Sequence, residues 1–529
     1  MWPTSGRETI WSQLHRPWDV IVIGGGVTGA GILRLLAPLG VQVLLVERAD
    51  FSYGTSSRST KLVHGGLRYL AQKQYSVTRE SVRERERLMR EAPGLIDPLG
   101  CLFPVFRNAS PKKQTAGLAL AIYDLFGHKW AHRYYEGDDL ELLAPHISLD
   151  GLQGGFRYFD AVTDDSRLVL RLLAEGVQAG GVALNYVAAE SLLQDAQGRV
   201  RGVALRDQVS GRTLELQARV VINATGAWAD HLRQQVGGSP RVRPSRGSHF
   251  LFPFWRAPAA QAVTLFHPRD GRPVFVIPWE GATLAGTTDI DHRQPLDEEP
   301  SAEWSEVEYV LEALTLRFPA WRLSEEDIVA SFAGVRPIVA SGTGVDPHKE
   351  SRRHAVLEEN GLVTITGGKL TTFRRMALDT LRQARVVWPE LPLPSEKDRV
   401  LAPVAETLPI TPGLDEWARR RLLGHYAAEA AAVADSAQPG ELDLIPGTDS
   451  RWVELRWAAR QEAVVHLEDL LLRRVRLGLV LPEGGLPILE RVRSIVQPEL
   501  GWDDARWDAE VARYTRVWRD HYSVPTATG

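Results

Sequence analysis

The sequence predicts an α/β dinucleotide-binding fold that carries an antiparallel sheet and is followed by a helical C-terminal region. Three observations carry that prediction. Residues 19–48 (DVIVIGGGVTGAGILRLLAPLGVQVLLVER) read as strand, glycine turn, helix and second strand. Short apolar runs separated by Pro and Gly fill residues 242–291, the pattern of antiparallel strands. Beyond residue 412 the chain becomes rich in Ala, Leu, Arg and Glu at helical spacing.

In the first unit, the run 20–23 has the length and β-branching of a buried strand. Gly24, Gly26 and Gly29 then form G-x-G-x-x-G, and a second apolar run, 41–46, ends in Glu47. Gly24 permits a tight turn, Gly26 lets the backbone approach a pyrophosphate, and Gly29 lets helix and strand pack closely. The helix N-terminus offers N–H groups and partial positive charge to phosphates. Glu47 can accept hydrogen bonds from an adenosine ribose and would repel a 2′-phosphate. The motif points to a dinucleotide, NAD or FAD, and leaves the reaction open.

Residues 52–68 are dense in Gly, Ser and Thr, as in a loop and helix start. Residues 67–89 read as one long helix with Arg and Glu on a solvated face, and 101–106 as a strand. Residues 118–135 (LALAIYDLFGHKWAHRYY) predict an amphipathic helix. It either packs on its own domain or meets lipid, where Lys129, Trp130, His132 and Arg133 suit a headgroup layer. Thr163 to Ser166 form a polar turn fit to cap a helix. Residues 182–187 and 202–205 read as strands. A second strand ending in glycine occurs at 219–226 (RVVINATG), and a third at 362–368, where Lys369 enters a helix running to about residue 387. Between these, 304–318 reads as a helix and 328–339 as a strand. Residues 388–412 are proline-rich, as in a linker. Helices are expected over 414–435, 452–477, 486–496 and 507–521.

A chain of 529 residues predicts two or three domains. Its hydrophobic content of 44% marks a globular protein, and a net charge of −4 excludes a general nucleic-acid binder. The single Cys101 excludes an internal disulfide and a multi-cysteine metal site, and fits a reducing compartment. Residues 1–17 lack the apolar core of a secretory signal. No apolar run reaches the 18 residues of a membrane span, which leaves surface association open.

The run GTSSRSTKLVHGGLRYL (54–70), following GGGVTGAG, is joined in order by TDDSRLVL, VINATGAWAD, RGSHFLFP, VFVIPWEG, AGTTDID, FAGVRPI, SRRHAV, GGKLTTFRRMA and AVVHLEDLLLRRVRLG. In this order and spacing, from about residue 18 to about residue 519, the chain resembles the FAD-dependent, quinone-linked glycerol-3-phosphate dehydrogenases. The resemblance implies a glutathione-reductase/D-amino-acid-oxidase-like FAD domain built from residues 18–90, 151–240 and 336–390. It implies an antiparallel substrate (cap) domain from 91–150 and 241–335, a linker over 391–412, and an all-α C-terminal domain over 413–522. The implied cofactor is FAD. The implied reaction oxidises sn-glycerol 3-phosphate to dihydroxyacetone phosphate, with the hydride passing to the flavin and the electrons to a membrane quinone. The implied setting is peripheral or monotopic, on a lipid surface at the cytoplasmic face of the cell membrane. A homodimer is left open, and no nucleic-acid partner is expected. Residues 1–17 lie outside the resemblance.

Such a substrate joins a phosphate dianion to a secondary alcohol. It requires fixed positive charge, a proton acceptor and a hydride acceptor. Arginine matches phosphate oxygens in pairs. By resemblance the substrate-binding positions are Arg68 with Tyr69, His249, Arg336, Arg352 and Lys369, with Arg353 able to exchange for Arg352 in the doublet. A lone arginine is ordinarily a surface charge, but these lie in glycine-rich junctions that face a ligand. His249 and His64 compete for the role of base. His249 also reads as a hydrogen-bonded core histidine, His64 as an electronic or structural neighbour of the flavin, and Arg336 as a group that lowers the hydroxyl pKa. The cofactor positions are Gly24, Gly26, Gly29, Glu47, Thr55, Ser56, Ser57, Lys61, His64, Val187, Thr225, Gly226, Gly368, Lys369, Thr371 and Thr372. Thr371 and Thr372 are expected to donate to the flavin's pyrimidine edge. Cys101 lies outside every motif and is not expected to attach the flavin. Four other readings remain. They are an oxidase of the same substrate using O2, a related FAD-dependent hydroxy- or amino-acid oxidoreductase, an NAD-dependent dehydrogenase, and a non-catalytic flavin scaffold. The two later strand–glycine junctions favour FAD, and the Arg68, Arg336 and Lys369 set argues against a scaffold.

Overall fold

The computed structural model describes residues 6–71, 73–107, 111–128, 130–340, 353–404 and 407–526. The β-branched strand Trp18–Ile23 is buried almost throughout and forms the middle of a largely parallel sheet. It pairs in parallel with Val43–Val46 on one side and Thr213–Asn223 on the other. The order across the sheet is His354–Glu359, Leu362–Gly367, Thr213–Asn223, Trp18–Ile23, Val43–Val46 and Val182–Leu184. The register puts Ile23 beside Asn223 and Asn223 beside Thr364. All three strand–glycine junctions therefore open side by side at one sheet edge, the carboxyl edge at which open α/β sheets bind ligands.

Helices Val27–Leu36, Asp165–Gln178 and Phe373–Ala384 bury their apolar faces against one side of this sheet. The other side carries an antiparallel ribbon, Val187–Gln194 and Val200–Asp207, which pairs with the first half of Thr213–Asn223. Part of residues 1–17 joins this layer. Trp11 and Leu14 are buried in its core, and Arg7 Nη2 donates to Asp207 Oδ1 at 2.6 Å.

The second sheet runs Ile290–Asp291, Val242–Pro253, Ala282–Gly286, Pro273–Trp279, Ala262–Phe266, Ile96–Phe106, Leu152–Thr163 and Leu62–Val63. Ala330–Val339 lies along Val242–Pro253, and Arg133–Glu136 along Leu152–Thr163. This sheet is mixed rather than wholly antiparallel. Two antiparallel blocks from distant parts of the chain meet edge to edge, where Ala262–Phe266 pairs in parallel with Ile96–Phe106.

Four expected helices are interrupted, among them 414–435, which splits at Ala427 (φ +50) into Glu416–Tyr426 and Ala430–Asp435. The segment 67–89 breaks into Leu67–Ala71 and Tyr75–Glu91, with Lys73 at φ +58 between them. The turn lets the second helix bring Ser81 to Lys369 and Arg85 to Asp160, a tertiary demand that periodicity does not register. The segment 118–135 is a helix only over Lys113–Gly127. It stops at His128 (φ +53), and Arg133–Glu136 follows as a strand. Lys129 lies outside the described residues. The segment 452–477 divides into Trp452–Gln461, a π-helical turn Asp469–Arg474, and Leu477–Val480.

That last division has a cause in charge. Arg473, Arg474 and Arg476 turn inward to buried carboxylates. Arg473 Nε and Arg474 Nη1 reach Asp50 Oδ2 at 2.5 and 2.7 Å. Burial pushes the Asp50 carboxyl up, but the Arg474 and Arg473 guanidiniums overcome that and hold it well below the usual carboxylate range. Arg167 pairs with Glu462 in the same interface. The C-terminal helices share one apolar core with the second sheet. Residues 388–404 of the expected linker form a packed strap, in which Leu391, Val400 and Leu401 are fully buried against the parallel sheet's helices.

Candidate active site

A cleft of about 1140 Å³ runs from the Gly24 turn to the second sheet. That exceeds the roughly 300–1,000 Å³ of an ordinary small-molecule site, and leaves room for a dinucleotide and a second small molecule. At the nucleotide end Gly24 adopts φ +116, and a Cβ there would stand 2.5 Å from the Ala224 carbonyl oxygen. Alanine at Gly29 would place its Cβ 2.0 Å from the Gly24 oxygen. The strand–turn–helix packing is thus backbone against backbone, with no room for a side chain. Glu47 accepts from the Gly25 N–H at 2.7 Å and from the Ala49 N–H at 2.9 Å, and burial raises its carboxyl above the ordinary value. The Val27 N–H donates to Ser56 Oγ at 2.9 Å. One N–H of the helix start is therefore taken by a hydroxyl, whose own proton is what it can offer to a phosphate.

At the other end the second sheet brings in His249 and Arg336 on adjacent strands, where Ser245 faces Arg336 and His249 faces Phe332. Arg336 donates to Thr287 Oγ1 (2.7 Å) and the Thr288 carbonyl (3.2 Å), and lies 3.4 Å from Asp289 Oδ1. Lys369 Nζ donates to Ser81 Oγ at 3.1 Å and sits 3.6 Å from the centre of the Tyr69 ring. Arg353 Nη2 donates to Ser76 Oγ at 2.7 Å. The His249 ring stacks on Phe332, and its Nε2 lies 2.9 Å from Thr60 Oγ1. Its Nδ1 is buried without a partner among the described residues. Burial, helped by the charges of Arg336 and Lys61, holds His249 well below its ordinary 6.5, so the ring is neutral at pH 7. His64, Tyr69, His249, Arg336, Arg353 and Lys369 all line the one cleft.

A family model described as FAD dependent oxidoreductase matches residues 19–374. A second, described as the C-terminal domain of alpha-glycerophosphate oxidase, matches residues 366–507. A glycerol-3-phosphate dehydrogenase 2 of Mycobacterium bovis is 35% identical over 97% of this chain and 91% of its own. An aerobic glycerol-3-phosphate dehydrogenase of Staphylococcus saprophyticus is 39% identical over 71% of this chain and 68% of its own. The solved glycerol-3-phosphate dehydrogenase of Bacillus halodurans, complexed with FAD, superposes with a TM-score of 0.77 at 27% identity, covering 98% of this chain and 97% of that one.

The chain belongs to the FAD-dependent glycerol-3-phosphate dehydrogenase family.

Its cofactor is FAD. The cleft fits the group, since three glycine junctions converge on it and a Cβ at Gly26 would fill the space beside Ser56 Oγ at 2.9 Å. Gly24, Gly26, Glu47, Thr55, Ser56, His64, Thr225, Gly226, Gly368, Lys369 and Thr371 line the cleft, while Gly29 supports it from behind. Other family positions read from the sequence fall elsewhere. Lys61 is fully buried and does not line the cleft. Its ammonium is held by Asp165 (2.8 and 2.9 Å) and the Ser57 carbonyl. Burial, with Arg476 adding its charge against Asp165, pulls Lys61 down to about 7. Ser57 accepts from Lys61 and Arg476 through its carbonyl and also lies outside the cleft. Val187 is buried behind its neighbours Ala188 and Ala189, which do line it. Thr372 turns its hydroxyl back to the Lys369 carbonyl at 3.4 Å. The Thr371 hydroxyl, at the cleft wall, bridges the N–H and carbonyl of His64 at 3.1 and 3.2 Å and so clamps two loops together. The side chain of Arg68, and Arg352 as a whole, lie outside the described residues. Arg353 is the described member of the doublet in the cleft.

Sequence reasoning overlooked Thr60, Arg272 and Asp289, which also line the cleft. Asp289 stood inside the quoted AGTTDID and Thr60 inside GTSSRSTK, so their motifs were visible although their roles were not. Arg272, in an Asp-Gly-Arg turn, carried no signal. Cys101 does line the cleft, where burial pushes its thiol up, the direction that disfavours the reactive thiolate.

Proposed function

We propose that the protein oxidises sn-glycerol 3-phosphate to dihydroxyacetone phosphate and delivers the electrons to a quinone in a membrane. The observation that carries this reading is that Arg336, Arg353, Lys369 and neutral His249 line the same cleft as the FAD-binding glycine turn, with Arg336 close enough to His249 for its charge to act on the ring. The three cations hold the phosphate dianion. His249 accepts the C2 hydroxyl proton, and Arg336 beside it stabilises the developing alkoxide. Bound FAD supplies the two-electron acceptor for the C2 hydride. The relatives' names support the substrate.

The acceptor and the membrane rest on the apolar part of the same cleft, to which Phe103, Phe266, Phe275 and Ile122 contribute. Ile122 lies on the helix Lys113–Gly127, whose Leu118 and Leu125 are 65% and 68% exposed, with Trp130 just beyond it at 72%. A helix with such an outer face suits the interface of a bilayer. Among the described residues no helix is long and apolar enough to cross one. The setting we propose, from the family resemblance, is the inner face of the cell membrane. A second reading, O2 as acceptor, is favoured by the match of the C-terminal region to a domain described from an oxidase.

Anaerobic addition of glycerol 3-phosphate to the purified yellow protein should bleach the flavin absorbance, and a water-soluble quinone should restore it without peroxide. A flavin left unbleached defeats the substrate assignment. Rapid peroxide formation in air, with no quinone reduction, replaces the quinone by O2.

A further inference from the structure

A carboxylate that does not line the cleft braces both halves of the phosphate end. Glu306 lies in the first turn of helix Trp304–Arg317, packed on the outer face of the second sheet, and is 3% exposed. Its Oε1 accepts from Ser248 Oγ at 2.9 Å and from Thr288 Oγ1 at 2.5 Å. Its Oε2 accepts from the Glu303 N–H at 3.0 Å and lies 3.0 Å from Arg246 Nη2. Thr288 Oγ1 in turn accepts from the Ser248 N–H at 2.9 Å.

Each of those partners is one step from a cleft residue. Ser248 precedes His249 on its strand. Thr288 belongs to the turn Thr287–Thr288–Asp289, which grips Arg336 through a hydroxyl, a carbonyl and a carboxylate. His249 and Arg336 are thus joined behind the cleft by the route Ser248–Glu306–Thr288. Both hydroxyls need an acceptor once buried, and both find it in the same oxygen. The arrangement leaves neither the His249 strand nor the Arg336 turn free to shift without breaking a buried charge-assisted hydrogen bond.

We propose that Glu306 is a positioning residue. Through Thr288 and Ser248 it holds Arg336 and His249 in the spacing that a phosphorylated secondary alcohol requires. This rests on the substrate reading above.

The test compares the full-length FAD-loaded protein with Glu306→Gln, Glu306→Asp and Thr288→Val. The readouts are KM and kcat with a dye acceptor, the FAD-to-protein ratio, and the perturbation of flavin absorbance by inorganic phosphate. Glu306→Gln and Thr288→Val should raise KM and weaken phosphate binding by about tenfold or more and lower kcat as well, with FAD content unchanged. Glu306→Asp should lie between them and the wild type. Lower FAD content or melting temperature with unchanged KM in the loaded fraction shows packing alone and overturns the proposal. Equal phosphate affinity in wild type and variants does the same. If the wild type binds phosphate but is not bleached by glycerol 3-phosphate, the substrate reading fails while the Glu306 comparison still decides. A wild type blind to both overturns both.

Discussion

Replacing Gly29 with alanine should strip FAD from the protein while leaving most of the chain folded. The new Cβ would lie 2.0 Å from the Gly24 carbonyl oxygen, where ordinary contact begins at 3.4 Å. The shortfall is about 1.4 Å between two backbone segments, and neither can rotate away as a side chain would. Gly24 is itself pinned. Its N–H donates to the Val46 carbonyl at 2.8 Å, and its own Cβ direction is blocked by Ala224. Relief therefore means lifting the start of helix Val27–Leu36 off the strand, which carries the Val27 N–H away from the place where phosphate is to bind. Overpacking of this kind costs about 1–3 kcal/mol. The empty protein can open the turn and escape that strain, whereas the loaded protein cannot. The penalty should then appear as a roughly 5- to 150-fold weaker FAD affinity. The assay is the ratio of flavin to protein absorbance after purification, followed by titration of stripped protein with FAD. Gly137→Ala, which meets nothing closer than the Leu152 oxygen at 3.8 Å, serves as the control. Full flavin content and wild-type affinity in Gly29→Ala would refute the packing argument.

Three further outcomes are expected. Arg336→Ala and Lys369→Ala should each raise KM for glycerol 3-phosphate by about 10- to 100-fold, since each removes charge-assisted bonds worth roughly 1.5–3 kcal/mol, with FAD retained; normal KM in both sinks the site assignment. His249, depressed well below 6.5, stays neutral as pH falls through that value. The kcat at saturating substrate should therefore remain level there and decline only in stronger acid, and a decline centred at or above 6.5 removes His249 as the base. The linked stability has the matching sign. The unfolded chain binds this proton below 6.5 and the folded one does not, so the contribution of His249 is present above 6.5 and is lost as pH falls below it. Asp50→Asn leaves Arg473 and Arg474 facing a neutral amide and should reduce stability by about 3–5 kcal/mol, read as a lower midpoint in urea. An unmoved midpoint would show that the network carries little of the stability.

The legible parts of the sequence were those whose physics is local. The Gly24–Glu47 unit announces itself because turn, helix and acid must follow one another at fixed spacing, and the three strand–glycine junctions share that property. Their meeting at one edge needed the register of Asn223 between Ile23 and Thr364. What escaped was set by distant partners. No periodicity says that the helix after residue 67 must stop at Lys73 so that Ser81 can meet Lys369. Nothing in GTSSRSTK tells the lysine that points to Asp165 from the threonine that points to His249. Resemblance placed Lys61 near the cofactor because its neighbours are there. The loop's two faces, one lining the cleft and one buried against Arg476, appear only once the C-terminal helices are in position.

The pairing of Asp50 with Arg473 and Arg474 also sets a clock. The carboxylate leaves the ribosome 423 residues ahead of its first arginine, and the Ser57 carbonyl 419 ahead of Arg476. At about 5–20 residues per second this is a wait of roughly 20–85 s. Throughout it Asp50 lacks the two arginines that offset its burial. Asp50 therefore reaches its native pairing only once the C-terminal helices have been made.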